Sequence, residues 1–262
     1  MKFKIYIILI LAVLSLLLFA CQAKVETPGN NNNDVSGNLD SQIKDEQEKQ
    51  DDNDDNDETS EKEAVTKMLY QGHASFRITA SDGTVIYLDP YAGDGYDVPA
   101  DIILVTHQHN DHNNIKLVTQ KEGCKITSNK EALEGGTHNT FSVKNIEIEA
   151  VKAENNNHNP KDCVGYIITV DGIKIYFAGD TSKTDQMDKF SEKEIDYALL
   201  PCDGVYNMNA EEAAECAKII GAKHNIPMHT KVGELFDREI AENFDAPDRL
   251  IAEAGEEIIL SK

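Results

Sequence analysis

The amino-acid sequence predicts an α+β fold in which two β-sheets pack face to face and helices cover their outer surfaces. Residues 64–262 begin with a series of short β-branched and aromatic runs, each bounded by turn residues. Further along this segment, strand-like runs alternate with stretches of helical periodicity. Strands that come first and then mix with helices are typical of two sheets that share one core.

Ten strands are predicted in order along this segment. The second and third are separated by Ser81, Asp82 and Gly83, and the sixth and seventh by Asp171 and Gly172, both typical of hairpins. The fourth is a short apolar run rich in isoleucine, as expected for a buried strand. The predicted strands are residues 67–71, 75–79, 84–88, 101–106, 146–151, 164–170, 173–177, 195–200, 226–229 and 257–260.

Three helices are predicted between the strands. The clearest covers residues 209–221, where Asn209 is the N-cap, acidic residues occupy the first turn, Lys218 lies near the end and Gly221 terminates the helix. Two shorter helical stretches are residues 114–118 and 237–243. We expect the helices on the outside of the two sheets.

The first 21 residues have the pattern of a secretory signal peptide. Lys2 and Lys4 provide positive charge, residues 5–20 form an apolar run, and the small residue Ala20 precedes Cys21. This end resembles the lipobox of bacterial lipoproteins, in which the cysteine receives lipid and becomes the new N-terminus. An uncleaved anchor helix is the alternative, although a helix needs about 20 apolar residues to span a bilayer. We therefore expect an extracytoplasmic protein that is attached to the bacterial cell membrane only through its N-terminal lipid.

Residues 22–63 are predicted to be a disordered acidic linker. They show no hydrophobic periodicity, and residues 30–33 and 51–58 are low-complexity runs of asparagine and acidic residues. The segment contains 14 acidic and 4 basic residues, so that like charges repel and favour an extended tether. A cation-binding acidic tract is the alternative, but the spacing is not that of an EF-hand. The folded domain is therefore expected at residues 64–262.

The net charge argues against nucleic acid as a partner. The chain carries a formal charge of −22, of which −10 belongs to the linker and −14 to residues 64–262, with +2 on the signal peptide. Nucleic-acid surfaces are recognised by clustered lysine and arginine. We therefore expect a small-molecule substrate and no nucleic-acid partner.

The predicted domain contains four cysteines besides Cys21. An even number in an exported protein is compatible with disulfides, and buried free thiols are the alternative. Their wide spacing and the absence of a Cys-x-x-Cys pair argue against a structural zinc knuckle. These residues are Cys124, Cys163, Cys202 and Cys216.

A dense cluster of metal-binding side chains follows the fourth predicted strand. His107, His109, Asp111 and His112 lie within six residues. Because side chains two apart on an extended chain point the same way, His107 and His109 are expected to face together. Buried His and Asp are costly unless paired, whereas imidazole nitrogen and carboxylate oxygen suit zinc and related divalent ions. The sequence therefore predicts a metal site, with a solvated polar loop as the alternative.

Three later residues also stand where a strand-like run gives way to a polar turn. His158 follows an asparagine-rich run, and Asp180 and His229 each close an apolar run. Strand ends are where β-sheet proteins commonly place their sites. Taken singly, His158 could be a loop histidine, Asp180 a helix cap and His229 a surface residue.

Together these residues resemble the metallo-β-lactamase superfamily. Its His-x-His-x-Asp-His signature stands at residues 107–112, and His158, Asp180 and His229 follow in the family's order. The resemblance extends from residue 68 to the C-terminus and implies an αββα sandwich, in agreement with the order of strands and helices. The sequence looks closest to the ascorbate-6-phosphate-lactonase-like branch of metal-dependent hydrolases, through residues 72–76, 88–90, 178–181 and 226–229.

The resemblance implies two divalent metal ions, with zinc as the default and Mn or Fe as alternatives. The implied ligands are His107, His109 and His158 for the first ion, Asp111, His112 and His229 for the second, and Asp180 as a bridge. The catalytic role falls to Asp111, which is expected to orient the attacking water. His73 and Asp89 are expected to fix the tautomers of ligand histidines, or else to make structural hydrogen bonds.

The activity implied by the resemblance is hydrolysis by a metal-activated hydroxide. The expected substrate is a small ester, lactone or phosphoester, and the ligands do not choose between carbonyl and phosphorus chemistry. The alternative function is a non-catalytic extracytoplasmic lipoprotein that binds a metal or another ligand. The Asp111→Asn variant separates the two, because in an enzyme it should abolish turnover and leave partial metal binding.

Overall fold

The computed structural model describes residues 64–262. The predicted signal peptide at residues 1–21 and the predicted linker at residues 22–63 lie outside the described residues, and both stay predictions. The described part contains two six-stranded mixed sheets and few helices, so the predicted fold class is confirmed. No helix among residues 64–262 is long and apolar enough to cross a membrane.

The first sheet combines an antiparallel part with a parallel part. Its strands are β1 (Lys67–Gly72), β2 (Ser75–Thr79), β3 (Val85–Leu88), β4 (Ala100–Val105), β5 (Gln120–Ser128) and β12 (Glu257–Ile259). They lie in the order β12-β1-β2-β3-β4-β5. The pairs from β12 to β3 are antiparallel, whereas β3, β4 and β5 are parallel. The carboxyl ends of β3 and β4 therefore lie side by side.

The second sheet has the same division. Its strands are β6 (Thr140–Val143), β7 (Ile146–Lys152), β8 (Val164–Val170), β9 (Ile173–Phe177), β10 (Tyr197–Pro201) and β11 (His224–Met228). Their order is β11-β10-β9-β8-β7-β6. β6 to β9 pair antiparallel, and β9, β10 and β11 pair parallel. The carboxyl ends of β9, β10 and β11 therefore also share one edge.

The helices are α1 (Asn129–Ala132), α2 (Ala210–Ile220) and α3 (Arg238–Asn243). The longest, α2, begins with a reciprocal cap: the Asn209 side chain accepts from the Glu212 backbone N–H at 2.9 Å, and the Glu212 side chain accepts from that of Asn209 at 3.0 Å. It ends at Gly221, whose φ of 70° is the left-handed conformation that glycine adopts without strain. These are the cap and terminator expected from the sequence.

The core lies between the inner faces of the two sheets. Tyr70 and Phe76 of the first sheet stack with ring centroids 4.7 Å apart, and Phe76 meets Phe177 of the second sheet edge-on at 6.2 Å. All three are fully buried, and burial of such a side chain contributes about 1.5–3 kcal/mol. The Tyr70 hydroxyl donates to the His73 backbone carbonyl at 2.9 Å, which ties this core to the loop after β1.

Ten of the twelve strands lie within two residues of their predicted positions, whereas β5, β6 and α1 are not predicted by the sequence pattern. β5 is largely exposed, rich in Lys and Glu, and contains Gly123 at a φ of 78°, so it lacks the apolar alternation of a half-buried strand. The helix predicted at residues 114–118 is only a 3₁₀ turn, Ile115–Leu117. No side chain caps this turn, and so short a segment gains little from helical cooperativity.

The four cysteines of the described part are free thiols. Three of them are buried, and the Cys163 thiol donates to the backbone carbonyl of Ala153 at 3.0 Å. Burial raises the pKa of the Cys163 thiol to about 12. Of the two alternatives drawn from the sequence, free buried thiols are therefore the one found for Cys163, Cys202 and Cys216, and Cys124 is free and half-buried.

Candidate metal centre

The candidate site lies where the parallel strands of both sheets end. Asp89 follows β3 and residues 106–112 follow β4, whereas Asp180 and His229 follow β9 and β11 in the other sheet. The carboxyl ends of parallel strands meet at one edge of a sheet, so residues far apart in sequence come together there. The packing of the two sheets brings the two edges to one site.

The first group of side chains is the one predicted for the first metal ion. His107, His109 and His158 each offer a ring nitrogen, and these atoms lie within 4.8 Å of one another. His107 and His158 are buried and His109 is exposed. The Nε2 atom of His158 lies 3.1 Å from Nδ1 of His109. This group therefore has one side open to solvent.

The second group contains the predicted second set and one residue more. Asp111, His112 and His229 lie together with His73, and their ligand atoms are within 4.8 Å of one another. His73 Nε2 is 3.3 Å from Asp111 Oδ2, and its Nδ1 is 3.1 Å from the backbone carbonyl of Glu234. His73 was expected beside the ligands, and the structure places it among them.

Asp180 lies between the two groups. Its Oδ1 is 3.3 Å from His112 Nε2 and 3.6 Å from His229 Nε2, both in the second group. Its Oδ2 is 3.6 Å from His158 Nε2, in the first group. The carboxylate therefore presents one oxygen to each group, which is the arrangement that a bridge between two ions requires.

Several buried polar atoms in the site have no hydrogen-bond partner. They include His107 Nε2, His112 Nε2 and Asp180 Oδ1. A buried polar atom without a partner costs about 1–3 kcal/mol, so such atoms call for an explanation. Imidazole nitrogens and a carboxylate oxygen that converge in this way are satisfied by a divalent cation. The residues present therefore fit a metal centre.

The electrostatics of the site favour unprotonated His107. Burial, and then the charge of His112, lower the pKa of His107 to about 2. The neutral imidazole is the form that binds metal. Burial also lowers the pKa of His112, but Asp180 and then Asp89 outweigh it and raise that pKa to about 9. The raised pKa favours the protonated form of His112, so a metal ion that binds this imidazole must displace a proton.

The carboxylates of the site stay ionised. Burial would raise the pKa of Asp180, but His112 and His229 outweigh it and hold the pKa well below its usual range. The hydrogen bond with His73 likewise lowers the pKa of Asp111, although partial burial acts against it. Two negative side chains are therefore available to ligate a cation at neutral pH.

Asp89 contacts His112, a member of the second group, on the side of the ring away from Asp180. Its Oδ2 lies 2.7 Å from Nδ1 of His112, so it contacts the ring nitrogen that does not face Asp180. The same oxygen accepts from the Thr106 hydroxyl at 2.6 Å, and Oδ1 accepts from the Thr106 backbone N–H at 2.7 Å. Such a contact orients the imidazole and fixes its tautomer. The structure thus gives Asp89 the contact that its predicted role needs.

Three residues of the site have strained backbone conformations. His73, Asp89 and His229 have φ angles of 57°, 40° and 45°, a left-handed region that costs of order 1–3 kcal/mol for such residues. Gly179, which precedes Asp180, has a φ of 61°, and a Cβ there would lie 2.8 Å from the Thr106 side chain. Glycine is therefore required for the approach of β9 to the loop after β4.

Reasoning from the sequence misses two residues that contact the proposed ligands, Asp203 and Asn155, and a third, Asn207, that links these two. Asp203 Oδ2 lies 3.2 Å from His229 Nδ1, and Asn155 Oδ1 lies 2.8 Å from His158 Nδ1. Asp203 follows β10 just as Asp180 follows β9, so its position at a strand end was a usable signal. The two asparagines lie in loops whose shapes the sequence does not reveal.

Comparisons with known proteins give the class to which this site belongs. A family model described as a beta-lactamase superfamily domain matches residues 67–229. A UPF0173 metal-dependent hydrolase of Pyrococcus furiosus is 31% identical over 192 residues, which are 63% of this chain and 84% of that protein. The chain therefore belongs to the β-lactamase superfamily and, within it, to the UPF0173 metal-dependent hydrolases.

Solved structures agree with this assignment. A protein of Parabacteroides distasonis, described as a metal-dependent hydrolase, is 29% identical and superimposes with a TM-score of 0.61 over 72% of this chain and 93% of that one. A metallo hydrolase of Ignicoccus hospitalis shares the fold, with a TM-score of 0.61 and 24% identity over 76% of this chain and 99% of that one. The predicted superfamily, its fold and the prediction of a metal-dependent hydrolase are confirmed.

Proposed function

We propose that the protein hydrolyses a small ester, lactone or phosphoester with two divalent metal ions, zinc by default and Mn or Fe as alternatives. The observation that carries the proposal is the position of Asp180, whose two oxygens face different histidine groups at 3.3–3.6 Å. One ion would be held by His107, His109 and His158. The other would be held by Asp111, His112 and His229, with His73 beside them.

Divalent ions in such a site lower the pKa of water and draw electrons from a carbonyl or phosphoryl oxygen. The side chains would orient the water and hold the ligands in place. Asp111 is held by His73 through Oδ2 and is 38% exposed, so Oδ1 can accept a proton from water and orient it. Asp89 holds His112 in place, so that its Nε2 stays directed at Asp180. We assign catalysis to Asp111 on this ground.

The cleft beside the first group favours a negatively charged substrate. An open cleft of about 690 Å³ is lined by three histidines of the first group, by Lys130 and Lys161, and by one acidic residue, Asp162, among others. Neither lysine forms an ion pair with a carboxylate in the described part of the chain, although the domain is strongly acidic. Free cations beside a hydrolytic centre attract an anionic group of a substrate. We therefore favour a phosphoester or a carboxylate-bearing ester or lactone, as a relative of the ascorbate-6-phosphate-lactonase-like branch would use.

We further propose that the enzyme acts outside the cytoplasm as a lipoprotein anchored at Cys21, with no nucleic-acid partner. The support is the signal-like residues 1–21 and the acidic charge of residues 64–262. Growth of cells with labelled palmitate should label the wild-type protein in the membrane fraction. The Cys21→Ser variant should lose the label, and a label that persists would contradict the anchor.

Elemental analysis of the purified protein tests the metal proposal. Close to two equivalents of metal per chain are expected, and a panel of small lactones, carboxylate esters and phosphoesters should reveal turnover. Asp111→Asn should reduce that turnover by at least about a hundredfold and keep at least one equivalent of metal. Full activity in this variant would contradict the role of Asp111. If protein prepared in the presence of excess metal contained no bound metal, the whole proposal would be contradicted.

A further inference from the structure

A chain of polar contacts joins His229 of the second group to His158 of the first group. It starts and ends at the Nδ1 atoms, which are the ring nitrogens that do not face Asp180. His229 Nδ1 lies 3.2 Å from Asp203 Oδ2, and Asn207 Nδ2 donates to the same oxygen at 2.7 Å. Asn155 Nδ2 donates to Asn207 Oδ1 at 3.0 Å, and Asn155 Oδ1 lies 2.8 Å from His158 Nδ1. The chain thus starts at a residue of the second group and ends at one of the first.

The direction of every hydrogen bond in this chain follows from its one carboxylate. Asp203 can only accept, so Asn207 must present its amide N–H₂ to it and its oxygen to Asn155. Asn155 must then donate through its own N–H₂, which leaves its oxygen to accept from His158 Nδ1. His229 Nδ1 lies 3.2 Å from the same acceptor, off the line of a well-formed hydrogen bond, and a proton on this nitrogen is attracted to the carboxylate. Both histidines therefore carry their proton on Nδ1.

The other ring nitrogen of each histidine then carries a lone pair that faces the bridge, and that of His158 also lies 3.1 Å from His109 Nδ1. His158 Nε2 lies 3.6 Å from Asp180 Oδ2, and His229 Nε2 lies 3.6 Å from Asp180 Oδ1. A lone pair opposite a carboxylate oxygen is unfavourable unless a cation lies between them. We propose that Asp203 is a positioning residue that sets the metal-binding tautomer of both histidines, directly for His229 and through Asn207 and Asn155 for His158.

The surroundings of Asp203 hold it in this role. Its side chain is fully buried, and its second oxygen, Oδ1, accepts from the backbone N–H groups of Val205 and Tyr206 at 2.7 Å each. The loop therefore wraps around the carboxylate, which cannot turn away from His229. Asn207 is also buried, so water does not easily replace its hydrogen bonds. Buried polar groups that hold one another in this way favour one arrangement of the loop.

The inference rests on the proposed function, since it concerns how the ligands of the proposed metals are prepared. A purely structural role of the same contacts would tie two loops together, so that their loss would lower stability without weakening zinc binding by variants that remain folded. Zinc affinity, measured together with the tautomer of His158, therefore separates the two roles. Asp203 touches His229 and Asn207 but makes no hydrogen bond with His158.

The test uses the full chain with ¹⁵N-labelled histidine, after chelation and again during titration with Zn²⁺. Ring-nitrogen chemical shifts report which nitrogen of each histidine carries the proton, without reference to activity. The main variant is Asp203→Asn, which keeps the shape but can donate as well as accept. Asp185→Asn is the matched control, because Asp185 is exposed and outside the chain of contacts. Asn207→Ala breaks the chain in the middle, and thermal unfolding shows whether each variant is folded.

In the chelated wild type, His158 and His229 should both be protonated on Nδ1. Asp203→Asn should move part of the proton to Nε2 in both histidines and weaken zinc binding about tenfold. Asn207→Ala should change His158 in the same way, and Asp185→Asn should change neither. A change at His229 alone in Asp203→Asn would overturn the inference, as would wild-type His158 protonated on Nε2. Fewer than two zinc equivalents in the wild type would contradict the proposed function instead, because the tautomers are read without metal.

Discussion

Both ends of β4 carry buried polar side chains, but only at the start of the strand do these side chains find hydrogen-bond partners within the protein. At the start of the strand, Asp101 accepts from the Val85 backbone N–H at 2.9 Å, from Lys121 at 2.6 Å and from Lys144 at 2.5 Å. At the other end, His107 Nε2 and His112 Nε2 are buried without a partner. The first cluster is complete within the chain, whereas the second has unpartnered nitrogens that fit a cation.

This difference separates a charge cluster that stabilises the fold from one that binds a ligand. Asp101 lies in the first sheet and Lys144 follows β6 in the second sheet, so their ion pair links the two sheets. The unpartnered nitrogens of these histidines cost free energy, which the binding of a cation would recover. Substitutions at the end of β4 should therefore weaken metal binding, whereas substitutions at its start should lower the stability of the fold.

The largest effect is expected for Asp180→Ala. Loss of the carboxylate that presents one oxygen to each group should release at least one metal equivalent and lower turnover at least about a thousandfold. Elemental analysis and steady-state kinetics on the best substrate of the panel measure both. Asp101→Asn serves as the control, because it should keep both metal equivalents. Two retained equivalents in Asp180→Ala would contradict the bridging role.

A second prediction compares the two metal groups with each other. His112 lies between the carboxylates of Asp89 at 2.7 Å and Asp180 at 3.3 Å. Exposed His109 lies instead against the rings of two other histidines, His107 and His158. Carboxylates nearby strengthen cation binding. His112→Ala should therefore weaken the tighter zinc equivalent roughly a hundredfold, and His109→Ala should weaken the other roughly tenfold. Competition with a chelator of known affinity ranks the two.

The opposite ranking, with His109→Ala causing the larger loss, would show that the carboxylates around His112 serve to retain its proton rather than a metal ion. Both variants remove one imidazole, so each is the matched control of the other. Circular dichroism confirms that both remain folded. The comparison depends only on relative affinity, and it holds for Zn, Mn or Fe.

The third prediction concerns stability at the start of β4. Burial would raise the pKa of Asp101, but hydrogen bonds from Lys121 and Lys144 lower it from 3.8 to about 2. A lowered pKa means that the ionised form stabilises the fold above about pH 4 and that this contribution is lost as the pH falls towards 2. Because the lysines are partly exposed, we expect Asp101→Asn to cost about 1 kcal/mol at pH 7. Denaturant unfolding measures it.

The difference in unfolding free energy between wild type and Asp101→Asn should shrink as the pH falls from 4 to 2. A difference that stays constant over this range would show that shape rather than charge is responsible. Metal content should be the same in both proteins at pH 7. Loss of metal in Asp101→Asn would contradict the separation between the two ends of the strand.

The sequence predicts six of the seven proposed ligands because they follow strand-like runs, and strand ends in parallel sheets converge. The seventh, His158, lies in an asparagine-rich loop after the antiparallel strand β7 and was predicted through the family resemblance. Residues 107–112 need no tertiary information, since their spacing already predicts a cluster. Asp180 and His229 come from the second sheet, yet their strands are apolar enough to be recognised. The structure brings all seven to one site, and their metal-ligand roles stay predictions until metal is measured.

The supporting residues could not be predicted in the same way. Asn155 and Asn207 act through side-chain hydrogen bonds between loops that are 52 residues apart, and only the folded loops place them together. The strands β5 and β6 are likewise set by pairing at the sheet edges and not by an apolar pattern of their own. Hydrophobic periodicity therefore reveals the scaffold and the ends of its strands, but not the polar contacts that prepare the ligands.

The smallest predicted effect concerns the open side of the first group, where Lys161 lines the cleft with Lys130. An exposed cation contributes about 0.5–1 kcal/mol to an ionic contact, so Lys161→Gln should raise KM for an anionic substrate about two- to fivefold. KM for a neutral ester of similar size should not change. The effect should fade above about 0.5 M salt, because screening weakens exposed charges.

Lys189→Gln is the matched control for this prediction. Lys189 is exposed, forms no ion pair in the described part of the chain, and lines a different hollow near Phe190. It removes the same charge from the protein, so any general effect of net charge appears in both variants. An equal rise in KM for neutral and anionic substrates in Lys161→Gln would show that the lysine shapes the cleft rather than attracting charge. The preference for an anionic substrate would then have to arise from the metal ions themselves.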